Sequence, residues 1–320
     1  MAPLAPRFDV TAPAVPLADL GHVHLIAIGG AGMSAVARLL LARGVTVSGS
    51  DAADSPTLEV LRSLGARVHV GHDADHLTGV DTVVVSSAIR DDNLELAAAR
   101  TMGLRVLHRS QALASLMAGS RRVAVAGANG KTTTTSMLVV ALEAAGADPC
   151  FASGGEIAQL GTNAAIGSGD AFVVEADESD GSFLAYRPDV AVVTNVQPDH
   201  LDYYGTAERV EQAYTEFVST VPADGLVVAC WDDPGSRRLA RAVRDRGRDV
   251  VTYGYRAGAD LQVLSTEPDG LGTRSPFVVA GVERILDLAV PGEHNVMDAC
   301  AAYLAAVEGL GAAADAVLVG

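Results

Sequence analysis

From His22 onward, short runs of β-branched and aliphatic residues alternate with Ala- and Leu-rich stretches of helical spacing. "HVHLIAI" predicts a strand, "MSAVARLLLARG" a helix and "VTVSGSD" the next strand, and the alternation restarts at "RRVAVAG". Strands that are joined through helices lie parallel, because each crossover returns the chain to the same end of the sheet. The sequence therefore predicts an α/β protein with mostly parallel sheets.

The length of 320 residues fits about two domains. We expect a loose tail over residues 1–20, a first domain over 21–118 and a second over 119–320. Between residues 259 and 290, short strand-like runs are separated by Pro and Gly turns, which predicts a small antiparallel patch within the second domain.

Charge and composition exclude several classes of partner. The formal net charge of -16 argues against a nucleic acid or an anionic membrane, since both require a basic face. The sequence contains no run of about 18 apolar residues, so it predicts no membrane span. The N-terminus is interrupted by prolines and does not resemble a secretory signal. Cys150, Cys230 and Cys300 show no metal-binding spacing. We expect a cytoplasmic protein with buried thiols.

A first glycine-rich loop, "IGGAGMSA", follows the first strand and opens a helix. Gly30 and Gly32 fit the dinucleotide pattern G-x-G-x-x-A, in which backbone N–H groups at a helix start hold a diphosphate. This makes the first domain Rossmann-like. Asp51, at the end of the next strand, is placed to meet a ribose hydroxyl, and Ser86 follows a further strand on the same edge. NAD and a UDP-sugar both satisfy this pattern, and a plain glycine turn or a solvated serine remains the alternative.

A second loop, "GANGKTTTT", again stands between a strand and a helix. It is shorter than the standard G-x-x-x-x-G-K-[ST] pattern, because Val125 occupies the first glycine position. Gly127 and Gly130 still allow backbone N–H groups to face phosphate oxygens, with Lys131 on the β/γ-phosphates and the Thr132 hydroxyl on Mg²⁺. A helix start capped by threonines does not explain a lysine at the positive end of the helix dipole. The second domain is therefore predicted to be an ATPase of P-loop type.

Two further strand ends carry polar side chains on the same predicted edge. Glu175 comes first after an apolar strand and is a candidate Mg²⁺ ligand. The carboxylates that follow it are expected to form a solvated acidic loop. His200 follows another strand, and a lone histidine there is more often structural. His294 and Asn295 stand in the first turn of a later helix, where capping by Asn295 is the plain alternative.

Five motifs in this order resemble the Mur ligases, ATP-dependent enzymes of peptidoglycan precursor synthesis, a part of cell wall biogenesis. The motifs are "VHLIAIGGAGMS", "GANGKTTTT", "EADESDGSFL", "NVQPDHLDYYG" and "PGEHNVMDAC", and the resemblance covers about residues 22–310. The motifs are most similar to those of members that join L-alanine to UDP-N-acetylmuramate. The resemblance implies that the lactyl carboxylate attacks the γ-phosphate of ATP, and that the amine of L-alanine then displaces phosphate from the acyl phosphate. Members that add a tripeptide to the same nucleotide sugar share the N-terminal loop.

The resemblance also implies a role for each matching residue. Catalysis falls to Lys131, Glu175 and His200, and Mg²⁺ binding to Thr132, Glu175 and His200. ATP binding involves Gly127, Asn129, Gly130, Lys131, Thr132, Thr133, His294 and Asn295. UDP-sugar binding involves Gly30, Gly32, Met33, Ser34, Asp51, Ser86, Thr162 and Asn163.

The chain departs from the family pattern at three points. Ala128 and Asn129 replace the usual Thr-His within the second loop, and Asp298 stands where the family often has Asn. A third, amino-acid-binding domain of the family has no counterpart here, so we expect a fragment with little activity of its own. An NAD-dependent oxidoreductase and a non-catalytic nucleotide-sugar sensor remain the alternatives to a ligase.

Overall fold

The computed structural model describes residues 8–320. The chain divides into two compact units. The first comprises the described residues up to Gly119 together with Phe151–Ile166, and the second comprises Ser120–Cys150 and Gly167–Gly320. Residues 1–7 lie outside the described part. They belong to the predicted loose tail and to the N-terminal segment that does not resemble a secretory signal. Phe8 packs against the apolar core of the first unit.

The strands of the first unit are β1 (Val23–Ile26), β2 (Val47–Asp51), β3 (Arg67–Val70), β4 (Thr82–Val85) and β5 (Arg105–His108); the helices are α1 (Ala31–Ala42), α2 (Pro56–Ser63), α3 (Leu94–Thr101) and α4 (Arg109–Leu116). The strands form one sheet in the order β3-β2-β1-β4-β5, and each pair of neighbours is parallel. This confirms the predicted parallel sheet, and the strand order is that of Rossmann folds.

After β6 (Arg121–Ala126) and α5 (Lys131–Ala144), the chain forms an antiparallel hairpin of β7 (Cys150–Ile157) and β8 (Thr162–Ala165). Most of this hairpin groups with the first unit, because β8 packs against α1. A segment that the sequence places inside the second domain thus belongs structurally to the unit that carries the first loop.

Besides β6, the strands of the second unit are β9 (Ala171–Glu175), β10 (Val190–Val193), β11 (Leu226–Cys230), β12 (Val250–Gly254), β13 (Leu261–Val263), β14 (Glu267–Asp269), β15 (Gly272–Val279) and β16 (Val282–Leu288). Besides α5, its helices are α6 (Leu201–Tyr204), α7 (Ala207–Ser219), α8 (Pro234–Asp245), α9 (Glu293–Leu304) and α10 (Ala314–Val317). Its parallel strands lie in the order β13-β12-β11-β10-β6-β9, with α5 packed against β9 and α9.

The predicted antiparallel patch is confirmed, since β15 pairs antiparallel with β13, β14 and β16. The parallel strands β9 and β10, and β6 from Val123 onward, are apolar and almost fully buried, as expected for strands covered on both faces. No helix within residues 8–320 combines the length and the apolarity that crossing a lipid bilayer requires.

Candidate functional site

The first loop joins β1 to α1 and turns sharply. Ala27 has a positive φ of 59°, and Gly30 is the residue that immediately precedes the helix. Asp51, at the end of β2, accepts a hydrogen bond from the backbone N–H of Gly29 at 2.9 Å. An α-helix leaves the N–H groups of its first turn without intrahelical partners, so α1 presents donors to an anion at this loop. Asp51 therefore braces the loop from the neighbouring strand.

Two predicted site residues on α1 point inward. Met33 and Ser34 are each 3% exposed. The Ser34 hydroxyl donates to Ala31 O at 3.0 Å, and its N–H donates to Gly30 O. Both polar groups of Ser34 are thus used inside the helix, whereas Gly30 and Gly32 keep the backbone accessible.

Arg109, which sequence reasoning missed, lies against the first loop. It is the first residue of α4 and is half-buried. A Cβ added to Gly32 would overlap Arg109 Nη1, so the guanidinium occupies the space that this glycine leaves open. A cation at a helix start opposes the helix dipole, and Lys131 occupies the same position at the start of α5.

The other predicted residues of the first unit are placed at or near this edge. Asn163, on the hairpin, donates from Nδ2 to Ala31 O at 3.0 Å, so it touches the start of α1. The hydroxyl of Thr162 donates within the hairpin to Ala164 O. Ser86 follows β4, and its carbonyl accepts from Ile89 N–H in a tight turn.

A buried carboxylate lies beneath the same edge. Glu95 is fully buried on α3 and accepts hydrogen bonds from Ser50 Oγ at 2.5 Å, His76 Nδ1 at 2.8 Å and His72 Nδ1 at 3.0 Å, with His24 Nε2 at 3.5 Å. Burial alone would raise the pKa of Glu95, but its hydrogen-bond partners outweigh burial and lower the pKa to about 2. We call these five residues the Glu95 network; through Ser50 and His72 it supports the ends of β2 and β3.

The second loop joins β6 to α5 and has two glycines with positive φ, 143° at Gly127 and 85° at Gly130. A Cβ added to Gly127 would overlap the Thr194 hydroxyl, so the loop packs tightly against the end of β10. Asn195 forms two hydrogen bonds with the backbone of Asn129: its Oδ1 accepts from the N–H at 3.0 Å, and its Nδ2 donates to the carbonyl at 2.9 Å. The loop is thus held mainly through its backbone, and the Asn129 side chain adds a long hydrogen bond from its Nδ2 to Gln197 Oε1 at 3.5 Å.

Lys131 folds back over this loop. Its ammonium donates to Gly127 O at 2.6 Å and pairs with Glu178 at 3.0 Å. Of the 23 basic side chains in the sequence, 22 are arginine and Lys131 is the one lysine. An ammonium is a compact point charge, whereas guanidinium is a wide planar fork, which accounts for lysine at this crowded position.

Glu178 is the second residue that sequence reasoning missed. The sequence predicts a solvated acidic loop here, but Glu178 is only 1% exposed. The Tyr204 hydroxyl donates to its backbone carbonyl at 2.5 Å, and His200 Nε2 lies 3.8 Å from its carboxylate. Burial raises the pKa of Glu178, and the nearby Lys131 only partly offsets this effect. His200 itself has a positive φ of 51°, a backbone conformation that costs free energy in a non-glycine residue.

Lys131, Glu178 and His200 thus form one cluster of ionisable side chains at the carboxyl edge of the second sheet. Thr132 and Thr133 follow in the first turn of α5, and Glu175 ends β9 on the same edge. Across residues 8–320, no three His, Cys, Asp or Glu side chains are arranged to hold a metal ion by themselves. Mg²⁺ at nucleotide phosphates uses one or two protein ligands and completes its shell with phosphate oxygens and water. The oxygen donors present fit that requirement.

The start of α9 contributes the last predicted residues. His294 is exposed, and Asn295 Nδ2 donates to Pro291 O at 2.7 Å, which closes the first turn. Asp298 is buried, accepts from Thr134 Oγ1 at 3.1 Å and contacts Gly130 of the second loop. This part of α9 therefore adjoins the phosphate loop directly.

Two family models match successive parts of the chain. Residues 22–121 match the model described as "Mur ligase family, catalytic domain", and residues 125–306 match that of the "Mur ligase middle domain". The chain belongs to the Mur ligase family.

Two Mur ligase relatives of known structure share this fold. A UDP-N-acetylmuramate-alanine ligase from Thermotoga maritima superposes with a TM-score of 0.81 at 30% identity, covering 93% of this chain and 67% of that one. A UDP-N-acetylmuramate:L-alanyl-gamma-D-glutamyl-meso-diaminopimelate ligase from Neisseria meningitides gives a TM-score of 0.84 at 28% identity, covering 94% and 97%.

Sequence identity is higher to a UDP-N-acetylmuramate–L-alanine ligase from Renibacterium salmoninarum. It is 56% over 306 residues, which is 95% of this chain and 65% of the relative. The chain thus spans about 65% of the length of the curated relative that it matches.

Proposed function

We propose that this chain carries the nucleotide-binding units of a ligase that joins L-alanine to the lactyl carboxylate of UDP-N-acetylmuramate at the expense of ATP, in the cytoplasm. The observation that carries the proposal is the second loop. Its glycine turn is fixed by a hydrogen bond from the Asn129 N–H to Asn195, and its one lysine contacts Gly127 O and pairs with Glu178. Phosphoryl transfer from ATP to a carboxylate requires a loop of this kind to hold the phosphates.

In the proposed ATP site, Lys131 exchanges its pairing with Glu178 for the β/γ-phosphates. Gly127, Asn129 and Gly130 shape the loop, and Thr133 lies beside it in the first turn of α5. Thr132, Glu175 and His200 would hold Mg²⁺, which when bound neutralises charge on the transferring phosphoryl group. His294 and Asn295 border the adenosine side. Lys131, Glu175 and His200 surround the reacting phosphate.

In the proposed UDP-sugar site, the N–H groups at the start of α1 face the diphosphate, with Gly30 and Gly32 allowing close approach. Arg109 adds a positive charge beside Gly32, and arginine binds phosphate oxygens in a bidentate manner. Asp51 and Ser86 border the ribose side. Thr162 and Asn163 approach from the hairpin, while Met33 and Ser34 contribute through the fold of α1 rather than through their buried side chains.

The reaction needs positioning and charge neutralisation more than covalent help. The carboxylate oxygen of UDP-N-acetylmuramate forms a bond to the γ-phosphorus as ADP leaves, which gives an acyl phosphate. The amine of L-alanine then attacks the acyl carbon, inorganic phosphate leaves and an amide remains. The first step brings a carboxylate to a polyphosphate and the second releases an anionic phosphate, so the lysine and the helix starts supply the compensating charge.

Phosphate release on the complete gene product tests this function. We expect release that depends on ATP, Mg²⁺, UDP-N-acetylmuramate and L-alanine together, with a product larger than the nucleotide sugar by one alanine residue in mass spectrometry. Release with a tripeptide instead of L-alanine would reassign the protein to the tripeptide-adding members. Binding of UDP-N-acetylmuramate without any Mg·ATP binding would favour a nucleotide-sugar sensor, and tight NADH binding without UDP-sugar binding would favour an oxidoreductase.

Arg109→Ala tests the proposed diphosphate contact. We expect UDP-N-acetylmuramate affinity to fall about 10- to 100-fold, because one or two hydrogen bonds to a charged group are lost, while Mg·ATP affinity stays unchanged. Calorimetry of the 320-residue chain measures both. Arg100→Ala is the matched control, since it removes an exposed arginine that pairs with Asp91 in the same unit. Equal affinities for the two variants would exclude Arg109 from the site.

A further inference from the structure

Asp298 places a carboxylate against the phosphate loop. It lies on α9 where this helix packs on α5, and its side chain is nearly inaccessible to solvent. Thr134 Oγ1 donates to Asp298 Oδ1 at 3.1 Å. A Cβ added to Gly130 would overlap the same oxygen, so the carboxylate touches the glycine that opens α5.

The groups around this carboxylate do little to neutralise it. The basic side chain nearest in sequence is His294 on the same helix, and Lys131 on α5 directs its ammonium to Gly127 and Glu178 instead. Burial therefore raises the pKa of Asp298 to about 6, against the opposing effects of Thr134 and His294. Tyr253 on β12, which packs against α9, interacts electrostatically with Asp298 and also with Cys300 of α9, Cys230 of β11 and Asp233.

A polyphosphate at the second loop would bring further negative charge to this carboxylate. Like charges at short distance favour the neutral form of an acid. A protonated carboxyl has almost the same shape, so the contacts with Thr134 and Gly130 persist when the charge is lost.

We propose that Asp298 takes up one proton when Mg·ATP binds at the second loop, which makes ATP affinity dependent on pH. The inference rests on the proposed ATP site and extends it. The proton comes from solvent and ends on a carboxylate oxygen, with no bond to ATP formed or broken. Below the pH at which the free carboxyl titrates, the proton is already in place. Above it, affinity falls up to tenfold for each pH unit.

Asp298→Asn tests the proposal, because asparagine keeps the shape and cannot take a charge. We expect calorimetry to give similar Mg·ATP affinities for the two proteins at pH 5.5, and at least about tenfold tighter binding by the variant at pH 8. Glu178 and ATP itself ionise with both proteins, so their effects cancel in the ratio. A ratio that stays constant from pH 5.5 to 8 would overturn the proposal.

Proton counting on the unaltered chain gives a second test that does not depend on the variant folding. The binding enthalpy of Mg·ATP at pH 7.5 is measured in buffers of different ionisation enthalpy. We expect net uptake approaching one proton; zero uptake or net release would overturn the inference. If neither protein binds Mg·ATP at any pH, the proposed ATP site itself fails and this inference fails with it, a result distinct from binding without proton uptake.

Discussion

Replacing Lys131 by alanine is expected to weaken Mg·ATP binding by about 100-fold or more. The ammonium is the positive side chain over the second loop, and each hydrogen bond between charged groups contributes about 1.5–3 kcal/mol. UDP-N-acetylmuramate affinity should stay within about twofold, because no group of the first loop is altered. Calorimetry with each ligand measures the two affinities.

The sequence itself allows a sharper form of this experiment. Lys131 is the one lysine in the chain, so an amine-reactive ester can modify only this side chain and the N-terminus. We expect Mg·ATP to protect the Lys131 peptide from modification in mass spectrometry, whereas UDP-N-acetylmuramate leaves the labelling rate unchanged. Protection by the nucleotide sugar alone would contradict the separate roles of the two loops.

Two variants control for charge. Arg246→Ala removes one positive charge from the exposed end of α8 in the same unit, and we expect it to leave both affinities unchanged. Lys131→Arg keeps the charge but replaces the ammonium that bonds to Gly127 O with a larger planar group. We expect it to bind Mg·ATP nearly as weakly as the alanine variant, which would show that geometry is required as well as charge.

The fold and both loops could be predicted because their signals are local. A strand, a glycine turn and a helix follow one another in sequence at residues 23–42 and again at 121–144, and hydrophobic periodicity identifies each part. The parallel order then follows from the helical crossovers. The unit to which the hairpin at 151–166 belongs could not be predicted, because its grouping depends on packing against α1 rather than on its own residues.

The residues that sequence reasoning missed are defined by contacts across long separations. The sequence predicts Glu178 to be one of three solvated carboxylates after Glu175, but the chain folds back so that it lies under Lys131, 47 residues away. Asn195 holds the backbone of Asn129 across 66 residues. Arg109 directly follows β5, an edge strand of the first sheet, and its side chain reaches Gly32 near the start of α1. Only the opposition between a basic side chain and the start of a helix could have indicated Arg109 beforehand.

The Glu95 network was equally invisible in the sequence, since its histidines are scattered from residue 24 to residue 76. We expect Glu95→Gln to lower the stability of the first unit by about 3 kcal/mol. The pKa falls from an ordinary 4.5 to about 2, and each unit corresponds to about 1.36 kcal/mol. Hydrogen exchange followed by mass spectrometry should show peptides of β1 and β4 exchanging on the order of 100-fold faster, with peptides of β6 and β10 as the internal reference.

The pH dependence separates loss of the charge from a general packing defect. Because the pKa of Glu95 is lower in the folded state, its contribution is complete above pH 4.5 and disappears as the pH falls toward 2. The difference in stability between the unaltered chain and Glu95→Gln should therefore shrink over this range. Glu59→Gln, at an exposed position on α2, is the matched control and should change stability by less than about 0.5 kcal/mol. A difference for Glu95→Gln that stays constant down to pH 2 would mean that the amide disturbs packing and that the buried charge does not stabilise the first sheet.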